Sequence, residues 1–288
     1  MNTDCTFRIG STHKVCQDYA MTKDNAVVIS DGCSGSRLSD IGSRLLCINL
    51  LEQEKKISQH NKFLIESQYI LPVRPILKML DLPNESLDAT LGYIVVKKEF
   101  ALAKLYGDGV IIVGLKNGDA FVISCEYTDG YPFYINYLFD GSRRYSNWIE
   151  KNNQRKLITK KLYGKEIADD LIIINDDEKI ENGKAIAKSC AIIWDEHSVG
   201  VHFHNFNAVE YVIITSDGID SFYKTIETET SLTNEPISYM DVLKELLPFK
   251  NLKGNFIQRR VNKFLKQCEK NNWHHSDDIS FGAVSFGE

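Results

Sequence analysis

Carboxylates that close apolar runs are the feature of this 288-residue chain with the clearest chemical potential. Five Asp-Gly dipeptides occur, at Asp31, Asp108, Asp129, Asp140 and Asp217. Such a pair commonly marks a tight turn, because glycine accepts positive φ and aspartate caps its own backbone. Asp129 and Asp140, set among tyrosines and a proline, read that way. The other three differ in context: Asp31 follows AVVIS, Asp217 follows YVIITS and Asp108 ends ALAKLYG. Asp18 in CQDYA and Asp277 in HSDDIS each stand just before a strand-like run. Hard divalent cations such as Mg²⁺ and Mn²⁺ take oxygen ligands, and a carboxylate on a rigid strand end supplies both charge and fixed geometry. A pair of such ions about 3.5 to 4 Å apart needs several carboxylates, at least one of them shared. Glycine after the aspartate lets its backbone carbonyl or a substrate come close.

The elements that must position these acids are mostly short and β-rich. Strands are predicted at Ala26–Ser30, Leu91–Val96, Val110–Val113, Phe121–Ser124, Leu171–Ile174, Tyr211–Thr215 and Ile279–Phe286. A first helical zone covers about Ser39–Leu51, with a continuation towards Ser67, and a short helix follows near Pro72–Leu80. A second zone holds Tyr239–Leu247 and Asn255–Glu269, where Phe256, Val261, Phe264 and Leu265 recur at helical spacing. Asn175–Lys184 reads as an exposed loop. This order is not the βαβα alternation of a doubly wound sheet; it predicts an α+β chain, one domain over residues 1–288, with helices outside stacked antiparallel sheets.

Composition narrows the partners. A net charge of -5 argues against a nucleic-acid surface, which needs clustered Lys and Arg. Seven cysteines without a CxxC pair fit reduced thiols and a cytoplasmic location better than a disulfide framework. No apolar h-region and no apolar run of roughly 18 residues is present, so neither secretion nor a membrane span is expected. A cysteine-based phosphatase is disfavoured because no cysteine is followed by arginine six positions on. Gly107, Gly109 and Gly114 have the wrong spacing for a kinase or P-loop glycine loop. His202, His204, His274 and His275 lack cysteine partners at zinc-ligand spacing and read as packed or solvated.

The ordered set CQDYA, VVISDGCSGS, DATLGYIVV, YGDG, IITSDGIDSF and DDIS resembles the signature series of the metal-dependent Ser/Thr protein phosphatases of type 2C, especially divergent bacterial members. The likeness runs from about residue 8 to residue 286. It implies a four-layer α-β-β-α sandwich of two mostly antiparallel sheets, with two Mn²⁺ or Mg²⁺ ions in a cleft at one end activating a water for phosphoester hydrolysis. Asp18, Asp31, Asp217 and Asp277 match the family's metal-binding aspartates, with Asp31 as the bridging ligand, and Gly32 matches the residue offering its carbonyl. The expected partners are a phosphoprotein substrate and a cognate Ser/Thr kinase or its targets, with neither nucleic acid nor membrane.

The sequence departs from the family in three places. His13 stands where an arginine commonly grips the substrate phosphate; a histidine there can bind phosphate, protonate the leaving oxygen or simply cap a turn, and it is read with Asp31 as a phosphate-binding or catalytic residue. Arg37 offers a second phosphate contact, although for Arg37 and Arg44 surface pairing with Asp40 is the simpler fate. Cys33 replaces a histidine proposed as general acid and is read as a packing residue. A third metal position would use Asp108 and an acid four residues after Asp217, but Ser221 is there and Asp220 comes one residue early. The rival reading is a pseudophosphatase, a binding or regulatory module with little turnover. The segment between Asp108 and Asp217 is expected to carry specificity, with Tyr131, Phe133, Tyr134 and Trp148 as packing residues.

Overall fold

Residues Gly109–Leu115, GVIIVGL, bury nearly every side chain. Ile111 and Val113 join one apolar cluster while Val110 and Ile112 join another, so this strand separates two cores. Period-two alternation with both faces buried requires a layer of structure on each side. The structure, a computed structural model, describes residues 1–54, 67–127, 131–141, 143–151, 155–163, 166–168, 185–187, 190–194, 197–203, 206–227 and 231–287.

In chain order the strands are β1 (Asn2–Arg8), β2 (Asp18–Lys23), β3 (Ala26–Asp31), β4 (Leu91–Val96), β5 (Ala101–Tyr106), β6 (Gly109–Leu115), β7 (Ala120–Tyr127), β8 (Arg155–Tyr163), β9 (Glu166–Ala168), β10 (Ala185–Ala187), β11 (Cys190–Trp194), β12 (Ser198–Phe203), β13 (Val209–Thr215), β14 (Phe222–Glu227), β15 (Leu232–Pro236), β16 (Trp273–His275) and β17 (Ile279–Ser285). The helices are α1 (Ser39–Gln53), α2 (Ser67–Ile70), α3 (Arg74–Met79), α4 (Arg144–Lys151), α5 (Tyr239–Leu246) and α6 (Phe256–Lys270). One seven-stranded sheet runs β1-β17-β13-β6-β7-β8-β9 and the other β10-β11-β12-β5-β4-β3-β2, with a small β15-β14-β16 sheet beside them. The expected α+β sandwich is therefore present, and α1 packs against β2 and β3 while α6 packs against β1 and β17.

Helix α6 shows why the outer layer holds. Phe256, Ile257, Val261, Phe264 and Cys268 form its buried stripe, each large side chain contributing about 1.5–3 kcal/mol by leaving water. Its N-cap Asn255 makes no side-chain cap bond, and buried Asp4 of β1 accepts instead from Gln258 N at 3.0 Å. That carboxylate satisfies an orphan helical N–H at the positive end of the helix dipole.

Most predicted elements occur with end shifts of a few residues. The first helix ends at Gln53, and its expected continuation towards Ser67 falls largely outside the described residues. The Leu171–Ile174 strand, the Asn175–Lys184 loop and Asp129 also lie outside them. Strands β1, β2, β5, β8, β9, β10, β11 and the small third sheet were not expected from the sequence. No helix among the described residues is long and apolar enough to cross a membrane.

Candidate active site

Strand register brings the acids to one edge. In the β2–β3 hairpin Asp18 is the direct antiparallel partner of Asp31. In the facing sheet Thr215, the last residue of β13, pairs with Val110 near the start of β6 and with Phe281 of β17. Residues just past those positions share an edge: Asp217 after β13, Asp108 before β6 and Asp277 before β17. Ser216 ties the two sheets there, its Oγ donating to Asp18 Oδ2 at 2.6 Å while accepting from Ser280 N at 3.0 Å.

Backbone contacts fix the loops that carry the acids. Asp31 N donates to Thr90 Oγ1 at 3.1 Å and Thr90 N returns a bond to Asp31 O at 2.8 Å. Gly32 N donates to Gln17 O at 3.2 Å, and a Cβ at residue 32 would sit 2.7 Å from Ser39 O. At Gly218 the constraint is tighter, because a Cβ would lie 1.7 Å from Asp278 O. These glycines follow Asp31 and Asp217 because neighbouring backbone occupies the side-chain space.

Asp31 stands at the centre of the electrostatics: it is the cross-strand partner of Asp18 and feels the charges of both Asp18 and Asp217. Burial, then the charges of Asp18 and Asp217, push its carboxyl well above the usual range. Burial raises Asp18 to about 7, opposed by the bond from Ser216 and by the neighbouring Asp31 and Ser280. Asp108 and Asp277 are raised by burial first and by Asp217 second. Carboxylates this close cannot all ionise unaided, so protons offset the repulsion that divalent cations would otherwise offset. Asp18 Oδ1 and Asp217 Oδ1 are buried without a hydrogen-bond partner. Such orphaned oxygens, in an all-oxygen acidic set, fit hard divalent ions. As they stand, among the described residues no three His, Cys, Asp or Glu side chains close tightly enough to enclose an ion.

His13 reaches the edge of this cluster. Its Nε2 is 3.5 Å from Asp277 Oδ1 and its Nδ1 is 3.0 Å from Asp278 Oδ2, the latter a charge contact rather than an aligned hydrogen bond. Burial works against its positive charge, but Asp278, Asp277 and Asp18 outweigh it, and its pKa is raised. The adjacent acids have separate environments. Asp277 is 45% exposed, whereas Asp278 is 1% exposed and accepts from Gly10 N at 2.7 Å and Gln17 N at 2.6 Å.

The remaining expectations divide. Arg37 is solvent-exposed in the loop leading to α1. Arg44 does not take the expected pairing with Asp40 as its notable contact; its guanidinium lies over the Tyr19 ring at 5.6 Å. Ser221 donates to Gly218 O at 2.7 Å and accepts from Asp277 N at 3.2 Å, so it braces the site without adding a carboxylate. His202 is buried against Phe100, and His275 bonds the Asp277 carbonyl at 2.8 Å. Phe133, Tyr134 and Trp148 are buried, but Tyr131 is half-exposed. Burial pushes the Cys16 thiol up to about 12, which removes it as a nucleophile near neutral pH.

Sequence reasoning missed Ser216, Asp278 as a clamp, and a network around Asp88. Buried Asp88 accepts from Asn136 Nδ2 at 2.8 Å and Ser36 Oγ at 2.8 Å, and pairs with Arg144, which also meets Asp140 at 3.0 Å. The Asp88 carbonyl holds Cys33 N at 2.8 Å, so the network braces the loop after Asp31. The only sequence signals were Asp88 opening DATLGYIVV and Ser216 adjoining Asp217.

Comparison with known proteins follows the same lines. A sequence model of the family described as Protein phosphatase 2C matches residues 10–266. Among solved structures, a bacterial serine phosphatase bearing an R161K mutation aligns over 100% of this chain and 98% of its own, at 14% identity and a TM-score of 0.53. The Ser/Thr phosphatase Stp1 from Staphylococcus aureus aligns over 99% and 95%, at 12% identity and a TM-score of 0.50. The Mycobacterium tuberculosis Ser/Thr phosphatase PstP/Ppp aligns over 100% and 99%, at 10% identity and a TM-score of 0.50. No curated protein sequence matches the chain. With strand-end aspartates gathered at one edge of a two-sheet sandwich, and a family match over most of its length, the chain belongs to the protein phosphatase 2C family.

Proposed function

We propose that this chain hydrolyses phosphoserine and phosphothreonine in proteins at a pair of Mn²⁺ or Mg²⁺ ions. The observation that carries the reading is the convergence of Asp18, Asp31, Asp108, Asp217 and Asp277, with buried Asp18 Oδ1 and Asp217 Oδ1 left unbonded. Asp18, Asp31, Asp217, Asp277 and the Gly32 carbonyl would hold the pair, Asp31 being the acid that lies under the influence of both Asp18 and Asp217. Asp108 is the acid available to a third ion. When bound, such ions lower the pKa of a water and offset charge on phosphoryl oxygens.

The chain's own residues supply the rest. Ser216 and Ser280 keep Asp18 oriented across the two sheets. His13 presents Nε2 towards Asp277 while Asp278 touches Nδ1, and without metal these acids raise its pKa. A cationic His13 takes the phosphate-binding part that arginine fills elsewhere in the family, and can return a proton to the departing alkoxide. Exposed Arg37 provides a further phosphate contact from the loop after Asp31. The reading places the protein in the cytoplasm, acting on the products of a Ser/Thr kinase.

The test is hydrolysis of p-nitrophenyl phosphate and a phosphothreonine peptide with Mn²⁺, by wild type, Asp31→Asn and Asp217→Asn. Each variant should lose more than the roughly 100-fold typical of groups behind the ligands. Turnover insensitive to chelator, or unchanged in both variants, would refute the reading. One feature favours the rival pseudophosphatase: His13 stands where the family commonly carries an arginine. That rival predicts Mn²⁺-dependent phosphopeptide binding without turnover.

A further inference from the structure

Beside the carboxylate edge lies a cavity of about 280 Å³ lined by Asp108, Val110, Ser124, Tyr127, Asp217, Asp220 and Tyr239, among others. Its volume falls below the roughly 300–1,000 Å³ of small-molecule sites and suits a single side chain. Register places Ser124 of β7 opposite Val110 and Cys125 opposite Gly109, so the cavity wall begins one residue from Asp108. Ser124 is 6% exposed, and its Oγ has no hydrogen-bond partner. A buried hydroxyl left unbonded is destabilising, which marks the cavity as built for a polar occupant. Among the described lining residues three are acids and none is basic, while Tyr127 and Tyr239 add aromatic faces. An acidic and aromatic wall with a hydroxyl acceptor suits an ammonium or guanidinium group on an apolar stem.

We propose that this cavity is a substrate subsite that receives a lysine or arginine side chain flanking the phosphorylated residue. The proposal rests on the phosphatase reading and deepens it. With Asp217 and Asp108 given to divalent ions, Asp220 supplies the local charge, and Ser124 Oγ accepts from the incoming N–H. A phosphopeptide bound with its phosphate at the carboxylate edge then places a neighbouring side chain at the cavity.

The test is a set of phosphothreonine peptides in which a single Arg, Lys, Glu or Ala is moved through the three positions on either side, assayed as kcat/KM with Mn²⁺. A basic residue at one position should raise kcat/KM about 10-fold over Ala, and Glu should lower it. In Asp220→Asn and Ser124→Ala the preference should fall to within about 2-fold, while p-nitrophenyl phosphate, which has no flanking residue, is hydrolysed as by wild type. A flat scan in wild type, a preference for apolar residues, or a basic preference kept in both variants would overturn the proposal. So would an Asp220→Asn protein that binds one fewer Mn²⁺ and keeps its peptide preference, since the cavity would then be an ion site. If turnover is absent altogether, the phosphatase reading fails separately. Fluorescence anisotropy with the same peptides then decides the subsite: a tighter Kd for Arg over Ala, lost in Asp220→Asn, supports it, and equal Kd values overturn it.

Discussion

Replacing Asp18 by asparagine should make the metal-free protein more stable while weakening its response to metal. Asp18 is fully buried, and its pKa moves from 3.8 to about 7, chiefly through burial. A displacement of that size corresponds to about 4 kcal/mol between its protonation states. Between those two pH values the folded chain keeps a proton that the unfolded chain has lost. Stability from this group therefore falls as pH rises from about 4, and the full penalty applies above about 7. Asparagine retains an oxygen acceptor for Ser216 Oγ, now 2.6 Å from Asp18 Oδ2, but forfeits charge assistance worth about 1–2 kcal/mol. It also relieves Asp31, whose pKa is raised by the Asp18 charge.

The net expectation for Asp18→Asn in chelator at pH 8 is a gain of about 2 kcal/mol, or about 3 °C in Tm for a chain of this size. At pH 4 the two proteins should unfold within about 1 kcal/mol of each other. Adding Mn²⁺ at about 100 times its Kd should raise wild type by about 2.7 kcal/mol and the variant by less. Thermal and urea unfolding across pH 4–8, with and without Mn²⁺, measure all of this. The reasoning is refuted if the variant is less stable than wild type in chelator at pH 8, or if metal-free wild type shows no loss of stability between pH 4 and 8.

Two further predictions concern groups behind the carboxylates. His13→Ala should lower kcat/KM by about 10²-fold, and Asp278→Asn by a smaller factor; in the His13→Ala background Asp278→Asn should cost no further activity while still lowering stability by about 1–3 kcal/mol, because Gly10 N and Gln17 N lose a charged acceptor. Kinetics of all four proteins, set against urea melts, separate a positioning role from a structural one. Arg144→Ala should destabilise by about 2–3 kcal/mol, since buried Asp88 keeps only Asn136 and Ser36 as side-chain partners, and hydrogen exchange at Cys33 N should quicken as its brace loosens.

How far the sequence discloses this arrangement depends on whether a residue's role follows the ordinary inside-outside pattern. Val27–Ile29, Ile94–Val96 and Val212–Ile214 are apolar and buried, so their strands are legible, as are the acids that end or follow them. Strand β1 inverts the rule: its buried positions are Asp4 and Thr6, because Asp4 serves as a helix cap for α6. In β5 the buried set includes Lys104, and in β12 it includes Ser198 and His202, which blurs the period-two signal in the same way. Local pattern also carries no information on convergence. Nothing around Asp108 or Asp277 says that β6 and β17 both flank β13; that follows from pairings between residues 66 to 105 positions apart, such as Thr215 with Phe281 and with Val110.

The adjacent acids Asp277 and Asp278 sharpen the point. Successive residues in extended chain face opposite sides, so one carboxylate must turn towards the cluster and the other inwards. The inward one can remain only if its oxygens are satisfied, and Gly10 N and Gln17 N satisfy them. Those two amides begin and end the loop that carries His13 and leads to Asp18. A buried carboxyl thus fixes the loop on which His13 stands, so the contacts open to His13 depend on that packing as well as on its own chemistry.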